Sequence, residues 1–194
     1  LVSTSGWQAD RPFVNPMCGS GTLAIEAALQ AINRPPGLLR EQFGFMYLKG
    51  YQSELWHRVR EQGRQQVALH KNLSIIATDH DAQAVKVTED NARRAGVLKY
   101  LQVKQAELNQ TPIPETPGTI IMNPPYGGRM GNSETLSAQY AGIGDFLKHQ
   151  AKGYKAWVLT GNTALAKHIA LRTESRYTFY NGKLACKLLG YTMY

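Results

Sequence analysis

Four short apolar runs, Pro12 to Val14, Leu73 to Ala77, Thr119 to Met122 and Ala156 to Thr160, each stop at a turn and give way to a stretch of helical periodicity. Those stretches are Thr22 to Ile32, Ala82 to Ala95, Ser133 to Gln150 and Thr163 to Leu171. A helix that carries the chain back along a strand leaves the next strand parallel to the last, so the alternation predicts an α/β fold with a mostly parallel sheet covered on both faces. A further strand is expected at Tyr100 to Val103, ahead of a loop punctuated by Pro112, Pro114 and Pro117. Arg34 to Gly37 breaks the first helix and Gln52 to Leu69 reads as another, giving a helical insertion over about 34–72. Gly96 sits where a helix C-cap is expected, and Tyr177 to Tyr194 reads as a hairpin joined through Asn181-Gly182, its antiparallel strand at or near a sheet edge.

A chain of 194 residues, 43% apolar and 19% charged, can bury a real core of its own, and with no apolar run of about 18 residues it is neither disordered nor membrane-spanning. Cys18 and Cys186 lie in unlike contexts, without a Cys-x-x-Cys or a secretory leader, so the expected setting is reducing and cytoplasmic, and no metal site is expected. The start at Leu1 rather than Met reads as a piece of something longer. Lys and Arg exceed Asp and Glu by eight, unevenly. Residues 1–72 hold eight basic and five acidic side chains, 73–122 five and six, and 123–194 nine and three. A neutral middle flanked by basic segments suits a small-molecule pocket beside an anionic partner.

In parallel sheets ligands bind beyond the carboxyl ends of the strands, here Asn15 to Gly21, Asp79, Gln105 and Asn123 to Tyr126. In Asn15-Pro16-Met17-Cys18-Gly19-Ser20-Gly21-Thr22 the glycines allow close backbone approach, and the helix start offers free N–H groups. The phosphate-loop pattern Gly-x-x-x-x-Gly-Lys-Ser/Thr is absent, which disfavours a nucleoside triphosphate. Asp79 stands where a carboxylate commonly accepts from ribose hydroxyls, with His80 beside it as an adenine-packing or surface residue; Asp81 is the better helix N-cap. Asn123-Pro124-Pro125-Tyr126 is the most specific signal. Two prolines after an apolar strand fix a rigid turn, leaving the Asn amide oxygen and a backbone carbonyl to hold a planar exocyclic amine as it attacks a methyl group, with Tyr126 stacked on the base.

These motifs, in this order, resemble the class I S-adenosylmethionine-dependent methyltransferases that modify amino groups. Met17 to Ala28, Arg34 to Arg40, Phe43-Gly44-Phe45 with Trp56, Asp90-Asn91-Ala92, Ala95-Gly96-Val97, the Asn-Pro-Pro-Tyr-Gly turn and Asn181 to Cys186 narrow the resemblance. They are similar to the catalytic domain of the THUMP-associated RNA methylases, and most to the guanine-N2 methyltransferases of 23S ribosomal RNA. The resemblance implies a Rossmann-like, seven-stranded sheet with an antiparallel last strand, S-adenosyl-L-methionine as donor, large-subunit ribosomal RNA as partner, and an amino-terminal RNA-binding THUMP domain not included in these residues. Residues 1–194 then form the catalytic domain. It places Met17, Cys18, Gly19 and Gly21 at the methionine end of the cofactor, Asp79 and His80 at the nucleoside, and Asn123 to Tyr126 at the target base. Two positions depart from the family pattern. Asn15 and Gln105 stand where the family usually has Asp, which predicts weaker hold on the cofactor ammonium and adenine amine.

Plainer readings accompany several of these residues. Cys18 has no activating neighbour and reads as packing; Trp7, Trp56 and Trp157 read as core. Arg58, Arg60 and Arg64 are either an RNA-facing stripe or a solvated helix face. The same Asn-Pro-Pro-Tyr turn suits adenine-N6 methylation of DNA or glutamine methylation of a protein, and Asn15 and Gln105 leave open a non-catalytic RNA-binding module with the same fold.

Overall fold

The computed structural model describes residues 1–68, 72–127 and 133–194; residues 69–71, at the end of the expected insertion, lie outside the described residues. Seven strands form one sheet: β1 (Phe13–Pro16), β2 (Ile75–Asp79), β3 (Leu101–Gln105), β4 (Thr119–Met122), β5 (Lys155–Thr160), β6 (Ser175–Asn181) and β7 (Leu184–Thr192). Their order is β3-β2-β1-β4-β5-β7-β6, with β1 to β5 parallel and β7 antiparallel to both of its neighbours, β5 and β6. The helices are α1 (Val2–Ser5), α2 (Thr22–Ala31), α3 (Ser53–Gln65), α4 (Ala82–Arg94), α5 (Ser133–Gln150) and α6 (Thr163–Ala166).

Alternate residues of each strand face opposite sides, and both sides are apolar because both are covered. Phe13, Ile75, Ala77 and Ile121 pack with Ala24, Ala27 and Ala28 of α2 and Ala92 of α4, small residues that let those helices approach closely. Val14, Ile76, Ile120 and Val158 pack on the other side with Tyr140, Ile143 and Leu147 of α5. Asp81 caps α4 by accepting from the Gln83 N–H at 2.9 Å, and the Gly96 and Val97 N–H groups close it on the Arg93 and Ala92 carbonyls. The β6–β7 hairpin turns on two residues, Gly182 and Lys183, the first with φ +60°, as a turn matched to the strand twist demands.

Several elements differ from expectation: β1 and β2 each lie further along the chain than the apolar runs at 12–14 and 73–77, and α3 ends at Gln65 rather than near 69. Tyr100 belongs to a 3₁₀ turn, Leu98–Tyr100, and β3 begins one residue later. The helix expected over 163–171 is α6 followed by a 3₁₀ turn, Lys167–Ile169, because Ala170 turns left-handed at φ 52° and the Ile169 carbonyl tucks against Gly144 of α5. Helix α1 carries too few residues to show a period.

The order reverses at β1: the chain moves out to β2 and β3, then returns to lay β4 on the other side of β1. At such a switch point the outgoing loops part and leave a crevice. Here the ladder stops early as well. β1 pairs with β2 at four positions but with β4 at only two, Phe13↔Thr119 and Val14↔Ile120.

The insertion lies at the opposite end. Helix α2 starts at the crevice and runs back, so the segment after it meets the sheet's amino edge, where Arg34 donates to the Ala95 carbonyl at 2.9 Å. Phe43, Phe45, Tyr51 and Trp56 form its aromatic cluster, and α3 buries no residue fully. Arg58 and Arg64 are exposed and Arg60 half-buried, on a helix remote from the crevice. Trp7 and Trp157 are core, whereas Trp56 is only half-buried.

Candidate active site

Two adjoining cavities open along the carboxyl ends of the strands. The larger, about 740 Å³, is lined by Met17 and Gly19 after β1, Asp79 at the end of β2 with His80 after it, and Asn123 to Gly127 after β4. The smaller, about 560 Å³, runs from His80 across Ala106, Glu107 and Leu108 after β3 to α5. Met17, His80 and Gln139 belong to both, so the two form one cleft of the size that holds a nucleoside-bearing ligand.

The glycine loop owes its shape to Asp79, whose carboxylate accepts from the Gly19 N–H at 2.9 Å and the Asp81 N–H at 3.1 Å and lies 3.2 Å from the His80 ring. Asp79 is only 8% exposed but keeps an edge on the larger cavity, where its remaining lone pairs can accept from a ligand hydroxyl. Gly19 faces open space: a Cβ there would meet nothing within 4 Å and would project into the cradle. Gly21 is required for the opposite reason, since at φ +78° a Cβ would come 2.6 Å from Thr88 Cγ2. Met17 holds φ 56° without being glycine, backbone strain at the junction of the two cavities.

Asn15, Cys18, Gly21 and Gln105 line neither cavity. Asn15 is 1% exposed, its amide nitrogen donating to the Ile121 carbonyl at 2.9 Å and its Oδ1 buried without a partner. Cys18 points toward α4, its Sγ 3.4 Å from the Thr88 hydroxyl, and burial pushes its thiol above the usual range. Gln105 is exposed, and its amide donates to the His80 carbonyl at 2.9 Å. The side chain that reaches the cavity here is Glu107, two residues beyond the strand. Sequence reading placed the third strand's ligand end at Gln105, where β3 ends, and did not single out Glu107 beyond it. Gln139 was also missed, for it sits in the middle of a long helix with no local mark of a site.

Asn123 is exposed at the mouth of the larger cavity, and its side chain makes no hydrogen bond among the described residues. Pro124, buried beneath it, and Pro125 fix the turn. The Tyr126 ring lines the same cavity, its hydroxyl within 3.5 Å of the Asn181 amide nitrogen and 3.8 Å of Cys186 Sγ. The Asn181 amide favours the phenolate, but burial and Cys186 outweigh it and hold the phenol above its usual pKa. At neutral pH the ring is therefore an uncharged plane facing the cleft. Among the described residues no three His, Cys, Asp or Glu are placed to hold a metal, and no helix is long and apolar enough to cross a membrane.

A protein of Syntrophotalea carbinolica named ribosomal RNA large subunit methyltransferase K/L is 40% identical over 185 residues, covering 92% of this chain and 26% of its own length. An RNA methyltransferase of Synechocystis, slr0064, is 34% identical over 194 residues, covering all of this chain and 50% of its own. The chain thus spans a quarter to a half of the curated relatives it matches. Among solved structures, SMU.472, a methyltransferase complexed with S-adenosylhomocysteine, superposes with a TM-score of 0.90 at 30% identity, over 100% of this chain and 51% of that one. The strand order, the cleft at its switch point and the turn after β4 agree with a family model that matches residues 1–189, and the chain belongs to the RMKL-like methyltransferase domain family.

Proposed function

We propose that this domain transfers a methyl group from S-adenosylmethionine to the exocyclic N2 of a guanine in large-subunit ribosomal RNA. The observation that carries the reading is Asn123: an amide with no hydrogen-bond partner among the described residues, held by two prolines at the mouth of a cleft whose other walls suit a nucleoside and an amino acid. The names of the curated relatives support the RNA class, and the bound product of SMU.472 supports the donor.

The walls fit that donor. Gly19 leaves room in the cradle, Asp79 offers acceptor lone pairs for ribose hydroxyls, and Glu107 offers a charged acceptor for an adenine amine beside His80. The carboxylate of Glu107 supplies the charge that Gln105 lacks. When bound, the donor supplies an electrophilic methyl on a sulfonium. The chain's part is placement. Asn123 Oδ1 and the Pro124 carbonyl accept from the target N–H groups, which concentrates the lone pair on nitrogen and aims it along the line of attack. Tyr126 stacks on the base once it leaves its helix. As the nitrogen bonds the methyl, the S–CH3 bond would break to leave a neutral thioether and one N–H proton would pass to water, so no strong base is needed.

Nucleoside analysis after incubating the protein, labelled donor and undermodified ribosomal RNA tests this. N2-methylguanine is the expected product. N6-methyladenine would move the reading to the other exocyclic amine, and no labelled nucleoside together with no binding of S-adenosylhomocysteine would mark an inert module.

A further inference from the structure

Gly161, directly after β5, lies behind Tyr126. A Cβ on Gly161 would stand 2.8 Å from Tyr126 Cδ2, 2.9 Å from Cε2 and 2.9 Å from Leu184 Cδ2, far inside van der Waals contact. Gly161 does not have a positive φ, so its backbone would accept any residue. What excludes a side chain is the ring, together with the Leu184 side chain of the β6–β7 hairpin. At the far end of that ring, Asn181 Nδ2 and Cys186 Sγ approach the hydroxyl at 3.5 and 3.8 Å, and both belong to the β6–β7 hairpin. Cys186 is 1% exposed and pairs with Phe179 across the hairpin, which makes this a packed wall rather than a surface encounter.

A tyrosine ring can swing about two side-chain torsions, and a stacking platform is useful only if its plane is set before the base arrives. The Pro124-Pro125 turn fixes the backbone but not those torsions. We propose that Gly161, Asn181 and Cys186 are positioning residues that set the plane of Tyr126 from behind, so that the hairpin, distant in sequence from the turn, determines where the target base lies relative to Asn123. The proposal rests on the reading that Tyr126 stacks on the target base.

The test is a double-mutant cycle in the intact protein, with undermodified ribosomal RNA as substrate and S-adenosylhomocysteine binding as the check on folding. Gly161→Ala pushes the ring forward; a displacement approaching 1 Å lowers kcat by about 10–100-fold. The RNA KM and the Kd for S-adenosylhomocysteine stay within about twofold, because the phosphate contacts and the cofactor walls are untouched. In a Tyr126→Ala background most of that loss disappears, since the ring it acts through is gone and only the exposed Leu184 side chain, free to yield, still meets the methyl. Wild-type activity in Gly161→Ala, or an equal loss in the Tyr126→Ala background, would overturn the proposal while leaving stacking intact. An unaffected Tyr126→Ala beside an inactive Asn123→Ala would remove the stacking reading itself. Asn181→Ala, at an exposed position that cannot unfold the core, reads the contact from the other side; a loss of about threefold is expected, and none would sink the hairpin's part.

Discussion

The side-chain amide of Asn15 donates to the backbone carbonyl of Ile121 at 2.9 Å, across the β1–β4 seam. Carried on from Val14↔Ile120, the register would set the nitrogen of Pro16 opposite that carbonyl, and proline has no hydrogen to give. Asn15 supplies the missing donor from the neighbouring residue, so the strands can part above it without leaving a buried acceptor unpaired. Asn15→Ala is expected to lower stability by about 1–3 kcal/mol, the usual cost of an orphaned buried group. Urea unfolding of the free protein measures it; an unchanged midpoint would show that the seam needs no such donor.

Asn123→Ala should leave S-adenosylhomocysteine affinity within about twofold and lower kcat by about 10²–10³-fold, the range for losing one group that stabilises a transition state. Single-turnover methylation of ribosomal RNA separates the two. A loss confined to cofactor binding would move Asn123 from the target amine to the donor.

Asp79 has a double task, bracing the Gly19 N–H and presenting an edge to the cavity. Asp79→Asn keeps the size but turns one accepting oxygen into an N–H donor, so either the Gly19 or the Asp81 N–H loses its partner along with the charge, worth about 1.5–3 kcal/mol, or roughly 10–150-fold in Kd for S-adenosylhomocysteine. Titration calorimetry gives the number, and an affinity within twofold of wild type would leave Asp79 only its brace.

Gly21→Ala sets a methyl against Thr88 and forces an L-residue to φ +78°. It should cost about 1–3 kcal/mol. Thr88→Ser, which removes the Cγ2 at 2.6 Å, should recover part of that loss when combined with it; strictly additive effects in thermal unfolding would show that the dihedral alone is responsible.

Stability should also fall in alkali. Burial pushes the phenols of Tyr140 and Tyr154 up to about 12, and Tyr154 donates to both the Pro114 and Thr116 carbonyls. A folded-state pKa above the unfolded value of about 10 means that the protonated form is favoured on folding. The contribution is complete below pH about 10 and is lost as pH rises toward 12. Tyr154→Phe should flatten part of that fall in urea midpoints while costing about 1 kcal/mol at neutral pH.

Much of the cleft was legible because it consists of strand ends, and strand ends announce themselves in sequence by a break in apolar pattern: Met17, Gly19, Asp79 and Asn123 to Tyr126 all follow such breaks. Where the break is ambiguous the reading slipped, as at β3, whose polar Lys104 and Gln105 still pair with β2 and carry the wall on to Glu107. Asn15 was recognisable as a departure, but its direction was not, since whether a strand residue faces a ligand or its own sheet depends on the neighbour's carbonyls. Gly161 and Gln139 are legible only in three dimensions: one matters for the space it leaves, the other for its turn of a helix.

Strand β7 lies between β5 and β6, although it follows both in the chain. As the polypeptide leaves the ribosome, β6 emerges with no partner to bond and must wait for β7 to be made and to dock on β5. Cys186, on β7, arrives with it. The Asn123–Tyr126 turn is therefore synthesised some sixty residues before Cys186, and in a nascent chain the glycine loop and Asp79 can meet while the Tyr126 ring still lacks its contacts with the hairpin.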